Sequence, residues 1–366
     1  MNKKLSILTV CTFGVFGSTS AQHQPQLGKS PINEIISAMT IDEKVALLVG
    51  FGDEDTPDSI PSATIGFTKK IIPGAAGITH AIPRLGIPSV VLADGPAGLR
   101  IDPKRPGTDS TFYCTHFPVA TSLASTWNTP LVKSVGNAIG NETLEYGVDI
   151  LLAPATNIMR NPLCGRNFEY YSEDPILAGK LTSAMIQGIQ QNGVGTSIKH
   201  FALNNQETNR TGNNVLVSPY VMHELYLKPF EIAIRESTPW TVMSSYNKVN
   251  GEYASENSLL LDSILRRRWG YKGLVMTDWF GGQDAVKQTV AGNDLLMPGL
   301  KKQRKALKDA VENGKLSTHI LDRNVQRILE LIIKTPRFQQ YDYTKQLIWG
   351  QTPASAVWQP QRGWSC

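Results

Sequence analysis

Cysteine is scarce in this sequence, and so is charge. Four cysteines stand among 366 residues, too few and too scattered for a disulfide scaffold or a cysteine-based metal cluster. Charged residues make up 18%, against roughly 25% in average soluble domains. That deficit excludes disorder and coiled coil, and a large buried core is expected. There is no glycine-rich dinucleotide fingerprint and no P-loop. Internal repeats and low-complexity linkers are also missing. Beyond the first twenty residues, no apolar run approaches the roughly 20 residues that a membrane span needs. The formal charge of +5 is too weak to argue for nucleic acid or an anionic membrane as a partner.

What is present starts with Lys3-Lys4, an apolar run over 5–17, and Ser18-Thr19-Ser20-Ala21. A basic start, a short apolar stretch and small residues describe a secretory signal peptide over 1–21, so an exported protein, periplasmic or secreted, is expected. Removing Lys3 and Lys4 from the 36 basic residues leaves 34 against 31 acidic ones, a surplus of 3. Cys11 would leave with that segment. Of the rest, Cys114 and Cys164 fall in expected loops, where they either pair or stay as two buried thiols.

Helices and strands alternate along the remainder. Thr40-Ile41-Asp42-Glu43 is a capping box opening a helix through KVALLVG. Short apolar runs at 89–93, 149–153, 195–200, 240–246 and 273–277 read as strands, with 293–297 as a last candidate. Pro130 after Asn128-Thr129, Asp174-Pro175 and Ser218-Pro219 open helices expected to reach Gly147, Gly193 and Ile234, and 259–267 is a further helix. About six βα units imply a parallel sheet, so the expected fold is α/β: a (β/α)8-like TIM barrel, irregular or incomplete. Arg266-Arg267-Arg268 and the basic stretch 301–308 are expected on solvated helical faces.

In such a barrel, polar groups at the carboxyl ends of strands gather at one mouth. Asp94, Lys199-His200, Tyr246 and Asp278 occupy such ends, and Arg166 lies in the polar loop CGRNFEYYSEDP. Each has a plain structural reading: Asp94 as a turn residue, Asp278 as a cap, His200 as a satisfied core histidine. A lysine ending the apolar run TSIK, however, needs a carboxylate or hydroxyl partner. Two carboxylates, cations, a tyrosine and aromatic neighbours (Trp279, Phe280, Phe168) together suit a sugar pocket. An aspartate in such a pocket suits nucleophilic glycoside cleavage.

The segments VVLADGPAGLR (90–100), GRNFEYYSEDP (165–175), SIKHF (197–201), VMSSYNKVNG (242–251) and RRWGYKGLVMTDW (267–279) resemble glycoside hydrolase family 3, most of all its bacterial β-glucosidase branch. The resemblance runs from about Ile32 to Tyr343, so a family 3 barrel over 22–343 is expected. It implies that Asp278 is the nucleophile of a retaining, exo-acting enzyme releasing non-reducing terminal glucose from β-glucosides or β-linked oligosaccharides. It further implies that Asp94, Arg166, Lys199, His200 and Tyr246 hold the sugar, with Arg100 close by and Met243 and Trp279 lining the same subsite. Aspartate rather than glutamate at position 94 is the family's pattern for a hexose. No metal or organic cofactor is implied.

Members of that branch carry a second α/β domain, packed on the barrel, whose glutamate supplies the general acid/base. The likeness fades after TPRFQQYDYTK, and the tail over 344–366, ending WQPQRGWSC, resembles no family segment. Back-translated one base behind its frame, that ending permits AAAEGMVLL, which looks like the family's entry into the second domain. The expectation is a frameshift that truncated a longer enzyme. Two other readings stand beside it. One is a non-catalytic or impaired sugar-binding barrel. The other is a single-domain β-N-acetylhexosaminidase, against which speaks KHFALNN in place of that group's KHFPGHG.

Overall fold

The computed structural model describes residues 24–51 and 71–343. The expected signal peptide and the tail after Tyr343 lie outside the described residues. The chain opens with α1 (Ile32–Ala38), α2 (Ile41–Leu48), β1 (Gly77–Ile78), β2 (Val91–Asp94), α3 (Ala120–Ala124), α4 (Thr129–Glu145) and β3 (Ile150–Leu152). It continues through α5 (Pro175–Gln190), β4 (Gly195–Phe201), β5 (Asn214–Val215), α6 (Pro219–Val221) and α7 (Lys228–Ser237). Then come β6 (Thr241–Ser244), β7 (Lys248–Val249), β8 (Glu252–Tyr253), β9 (Leu274–Thr277), α8 (Ala285–Ala291), α9 (Lys301–Glu312) and α10 (Thr318–Ile332).

Six strands form one sheet in the order β1-β2-β3-β4-β6-β9. All neighbours are parallel except β1 and β2. Two shorter segments close this sheet on itself. Leu295 bridges Met276 on β9, and Leu296 bridges Val49. Gly50 N donates to Leu296 O at 2.8 Å, and Phe51 N to Ile78 O on β1 at 2.8 Å. Backbone hydrogen bonds therefore run around an irregular barrel with bridge-length staves at its seam. The expected strand at 293–297 is one of these staves. The other, at 49–51, directly follows α2, where the capping-box reading ran the helix on.

The barrel strands are buried along their whole length, apart from half-buried Asp94 at the end of β2, as a parallel sheet covered by helices requires. Local chemistry starts the helices where expected. Thr40 and Glu43 complete the capping box, Asn128 Oδ1 accepts from Leu131 N at 3.0 Å, and Asp174 Oδ1 accepts from Ile176 N and Leu177 N. Gly188 lets α5 sit against α4, since a Cβ there would lie 2.2 Å from Lys133 O. The helix expected from Ser218 to Ile234 is instead broken: α6 passes into a wide π-helical turn over Met222–Tyr226, and α7 starts afresh with Pro229 in its first turn. Proline has no N–H to continue the ladder.

One further expectation is corrected. Arg267 and Arg268 are exposed, but Arg266 is buried, with its guanidinium 2.6 Å from the fully buried carboxylate of Asp294. Cys114 and Cys164 are both free. Among the described residues no helix is long and apolar enough to cross a membrane.

Candidate active site

The parallel strands deliver their last residues to one mouth. There, Asp94, Leu152, Arg166, Lys199, His200, Arg210, Met243, Tyr246, Asp278 and Trp279 line a cleft with about 370 Å³ of space. Every expected sugar-binding residue except Arg100 is in this lining. Arg100 is exposed; its N–H donates to Asp94 O at 2.9 Å, and its charge acts on the Asp94 carboxylate. Phe168 and Phe280 are 51% and 38% exposed and do not line the cleft. Trp279 is the buried aromatic wall, its Nε1–H donating to Ala76 O at 3.1 Å.

Asp94 is placed by a tight turn. Gly95 has φ +152°, and a Cβ there would lie 1.7 Å from Gly98 O, so only glycine lets DGPAG fold back. Lys199, itself buried, extends its ammonium to Asp94 Oδ1 at 3.0 Å and lies 4.0 Å from Glu169 Oε2. Burial pushes the Asp94 carboxyl up, but Lys199, Arg166 and Arg100 together outweigh it and hold Asp94 below its ordinary value. Glu169, buried three residues after Arg166, also bonds the Arg166 guanidinium. Asp94 and Glu169 are thus both committed to cations.

His200 has 1% of its surface exposed. Arg166 Nη2 lies 2.7 Å from its Nε2. A guanidinium only donates, so Nε2 accepts and the ring proton sits on Nδ1, 3.4 Å from Asn157 Oδ1. Burial, reinforced by the Arg166, Lys199 and Arg210 charges, keeps the imidazole pKa well below its ordinary value, so the ring is neutral. Asn157 also grips the His200 backbone from both sides, accepting from its N–H and donating to its carbonyl at 2.9 Å.

Asp278 follows β9 directly. Its Oδ1 accepts from Tyr246 Oη at 2.9 Å and from Trp279 N at 2.7 Å. Its Oδ2 is buried and has no hydrogen-bond partner. The nearest basic atom is His200 Nε2 at 3.7 Å, which carries a lone pair and donates nothing. Burial raises the Asp278 pKa, and Arg166, Lys199, Tyr246 and the Trp279 N–H offset this only in part. One carboxylate oxygen is therefore fixed and the other bare beside the cleft, as nucleophilic attack requires.

Three polar cleft or supporting residues were not singled out from the sequence. Glu169 stood inside a quoted motif, where its spacing to Arg166 was the available signal. Asn157 and Arg210 gave none. Arg210 comes from the excursion after β4, pairs with Glu207 at 2.7 Å, and lies 4.4 Å from the Tyr246 ring centroid. Nearby, β5, β7 and β8 form a small separate sheet that ties this excursion to the one after β6.

Comparisons with known proteins agree with this geometry. The family model "Glycosyl hydrolase family 3 N terminal domain" matches residues 83–331. The thermostable beta-glucosidase B of Acetivibrio thermocellus is 42% identical over 307 residues, covering 82% of this chain and 37% of that protein. An exo-alpha-(1->6)-L-arabinopyranosidase of Bifidobacterium longum is 39% identical over 77% of this chain and 38% of its own. Among solved structures, beta-glucosidase 3B from Thermotoga neapolitana in complex with glucose superposes with a TM-score of 0.80 at 50% identity, over 86% of this chain and 44% of that one. The chain thus spans less than half the length of each of these relatives. The ordered motifs, the barrel and the cleft at its mouth agree with a match over most of the sequence: the chain belongs to glycosyl hydrolase family 3, through that family's N-terminal domain.

Proposed function

We propose that this barrel is the sugar-holding, nucleophile-bearing part of a retaining, exo-acting β-glucosidase, with Asp278 attacking the anomeric carbon of a non-reducing terminal glucose. The observation that carries this is the asymmetry of the Asp278 carboxylate: Oδ1 held by Tyr246 and Trp279, Oδ2 bare. In the first step Oδ2 forms a bond to C1 while the bond from C1 to the leaving oxygen breaks. In the second, water releases the sugar. Asp94 and Lys199, with Arg166 and His200, offer acceptors and donors to the sugar hydroxyls. Both of the reaction's carboxyl groups cannot come from this cleft, because Asp94 and Glu169 are tied to cations. The acid/base is therefore assigned to a partner domain packed over the mouth. Glucose is favoured by aspartate at position 94 and by the relatives named beta-glucosidase; the arabinopyranosidase relative makes L-arabinopyranose the competing sugar. The basic, apolar and small-residue start over 1–21 supports export.

Trapping tests the proposal. An activated 2-deoxy-2-fluoro-β-glucoside should leave one fluoroglucosyl group per chain, mapped by peptide mass to Asp278. A label on another residue overturns the assignment. A folded chain that binds glucose and takes no label is the non-catalytic sugar-binding barrel instead.

A further inference from the structure

A second cavity, with about 610 Å³ of space, lies at the opposite end of the barrel from Asp278. It sits between α10 and the turn that leads into β9. Four cations line it: Arg266 from the π-helical segment Leu259–Arg268, Lys272 from the turn that follows it, and Arg323 and Arg327 one helical turn apart on α10. Against them stand Glu330 on the wall and Asp294 buried beneath. Asp294 is already saturated: Oδ2 takes Arg266 at 2.6 Å and Oδ1 takes Arg327 at 2.9 Å. Glu330 accepts from Gln326. Among the described residues neither Arg323 nor Lys272 pairs with a carboxylate. The half-buried Arg323 guanidinium gives Nε to Asn324 Oδ1 and Nη2 to the carbonyls of Thr289 and Val290, and its Nη1 has no hydrogen bond among the described residues. Burial and the like charges of Arg327 and Arg266 outweigh the Asp294 and Asp262 carboxylates and lower its pKa. An arginine cannot relieve this by losing its proton. Nε of Arg266 is also buried without a partner. The cavity therefore carries two positive charges more than its own acids neutralise, and it has room for a ligand.

We infer that this cavity is a binding site for a tetrahedral dianion of the phosphate or sulfate type, held by Arg323 and Lys272 with Arg266 and Arg327 behind them. Guanidinium groups suit such oxyanions because their N–H forks match the oxygen spacing. Bound there, the anion would brace the amino end of β9 against α10 and the stave at 294–297. Its effect is on stability, at a distance from the catalytic mouth.

Thermal unfolding of the full chain tests this, with phosphate, sulfate or sodium chloride at matched ionic strength. At about ten times Kd, phosphate and sulfate should raise Tm by roughly 2–4 °C over chloride. In Lys272→Gln, an exposed change that leaves folding intact, and in Lys272→Gln with Arg323→Gln, that gain should shrink and then vanish. Titration calorimetry with phosphate on the same proteins should give one site per chain, weakened at least tenfold by Lys272→Gln. Glucose 6-phosphate separates the sources: an equal shift means that the cavity takes phosphate esters, and no shift means free oxyanion alone, the site standing in either case. No gain over chloride, or a gain that survives in the double variant, overturns the proposal.

Discussion

Oxygen Oδ1 of Asp278 receives two hydrogen bonds and Oδ2 none, and this sets what single substitutions should do. Asp278→Asn should lower the burst rate with an activated aryl β-glucoside by a factor on the order of 10⁴–10⁶, as loss of a nucleophile does. The same change should stabilise the fold. Burial holds the Asp278 pKa above its ordinary value, so the native state keeps this proton to higher pH than the unfolded chain. Its contribution is fully present below the unfolded pKa and is lost as pH rises through the folded one. Asp278→Asn should therefore raise Tm at neutral pH, with the gain fading near pH 4; a lower Tm at neutral pH would contradict it. Asp94, Lys199, Tyr246 and Asp278 were legible in the sequence because each ends an apolar run, and a polar residue there must find a partner or serve a site. Glu169, Asn157 and Arg210 were not. Arg210 reaches the cleft, and Glu169 and Asn157 reach the residues that line it, from loops, and no periodicity encodes the path of a loop.

Strands and helices meet at seams, and the seam between β9, the stave at 294–297 and α10 is held by charge. Asp294 joins Arg266 and Arg327 and also accepts from Val275 N at 2.9 Å. Asp294→Asn would leave two guanidinium groups without their carboxylate. Breaking such a buried network costs about 3–5 kcal/mol, read as a lower urea midpoint at unchanged m value. The sequence hid this seam. Arg266 stands in a run of three arginines that reads as solvated surface, and only the fold shows which one turns inward. The stave at 49–51 was equally hidden, because it is too short for alternation and abuts a well-capped helix. By contrast, α4 and α5 were legible almost to their ends, since caps and prolines act within one turn. The loop leading to α3 offers a different test. Thr115 N donates to both carboxylate oxygens of Glu142 on α4, at 2.8 and 3.2 Å. Burial raises the Glu142 pKa to about 7, the bonds from Thr115 opposing this only in part. Cys114 and Tyr146 face the same spot, each with its pKa pushed up to about 12, and Arg105 lies beside them. The Glu142 contribution is fully present below about pH 4.5 and is lost as pH rises through about 7. Tm should fall across that window, and Glu142→Gln should flatten the slope without abolishing the fold.

For the molecule as a whole, the cleft supplies one bare carboxylate where a retaining glycosidase uses two, about 5–5.5 Å apart. The consequence for this chain alone follows from what each carboxyl does. Asp278 can attack an activated aryl glucoside, whose leaving group needs no proton. The glucosyl-enzyme should then persist, because no general base in the cleft activates water against it. General acid–base assistance contributes typically about 10²–10⁴-fold. Cellobiose, whose leaving group does need a proton, should therefore turn over at least that much more slowly than with a relative holding both groups. Stopped-flow absorbance should show a burst of one aryl leaving group per folded chain and then a near stall. Azide, a nucleophile that needs no deprotonation, should restart turnover and yield glucosyl azide of β configuration, since two displacements at C1 retain it. Unfolding would mimic the stall but not the burst, so circular dichroism on the same sample separates the two. Steady cellobiose hydrolysis by this chain would place an acid within its own 366 residues, and the assignment of Asp94 and Glu169 to their cations would be the first claim to fall.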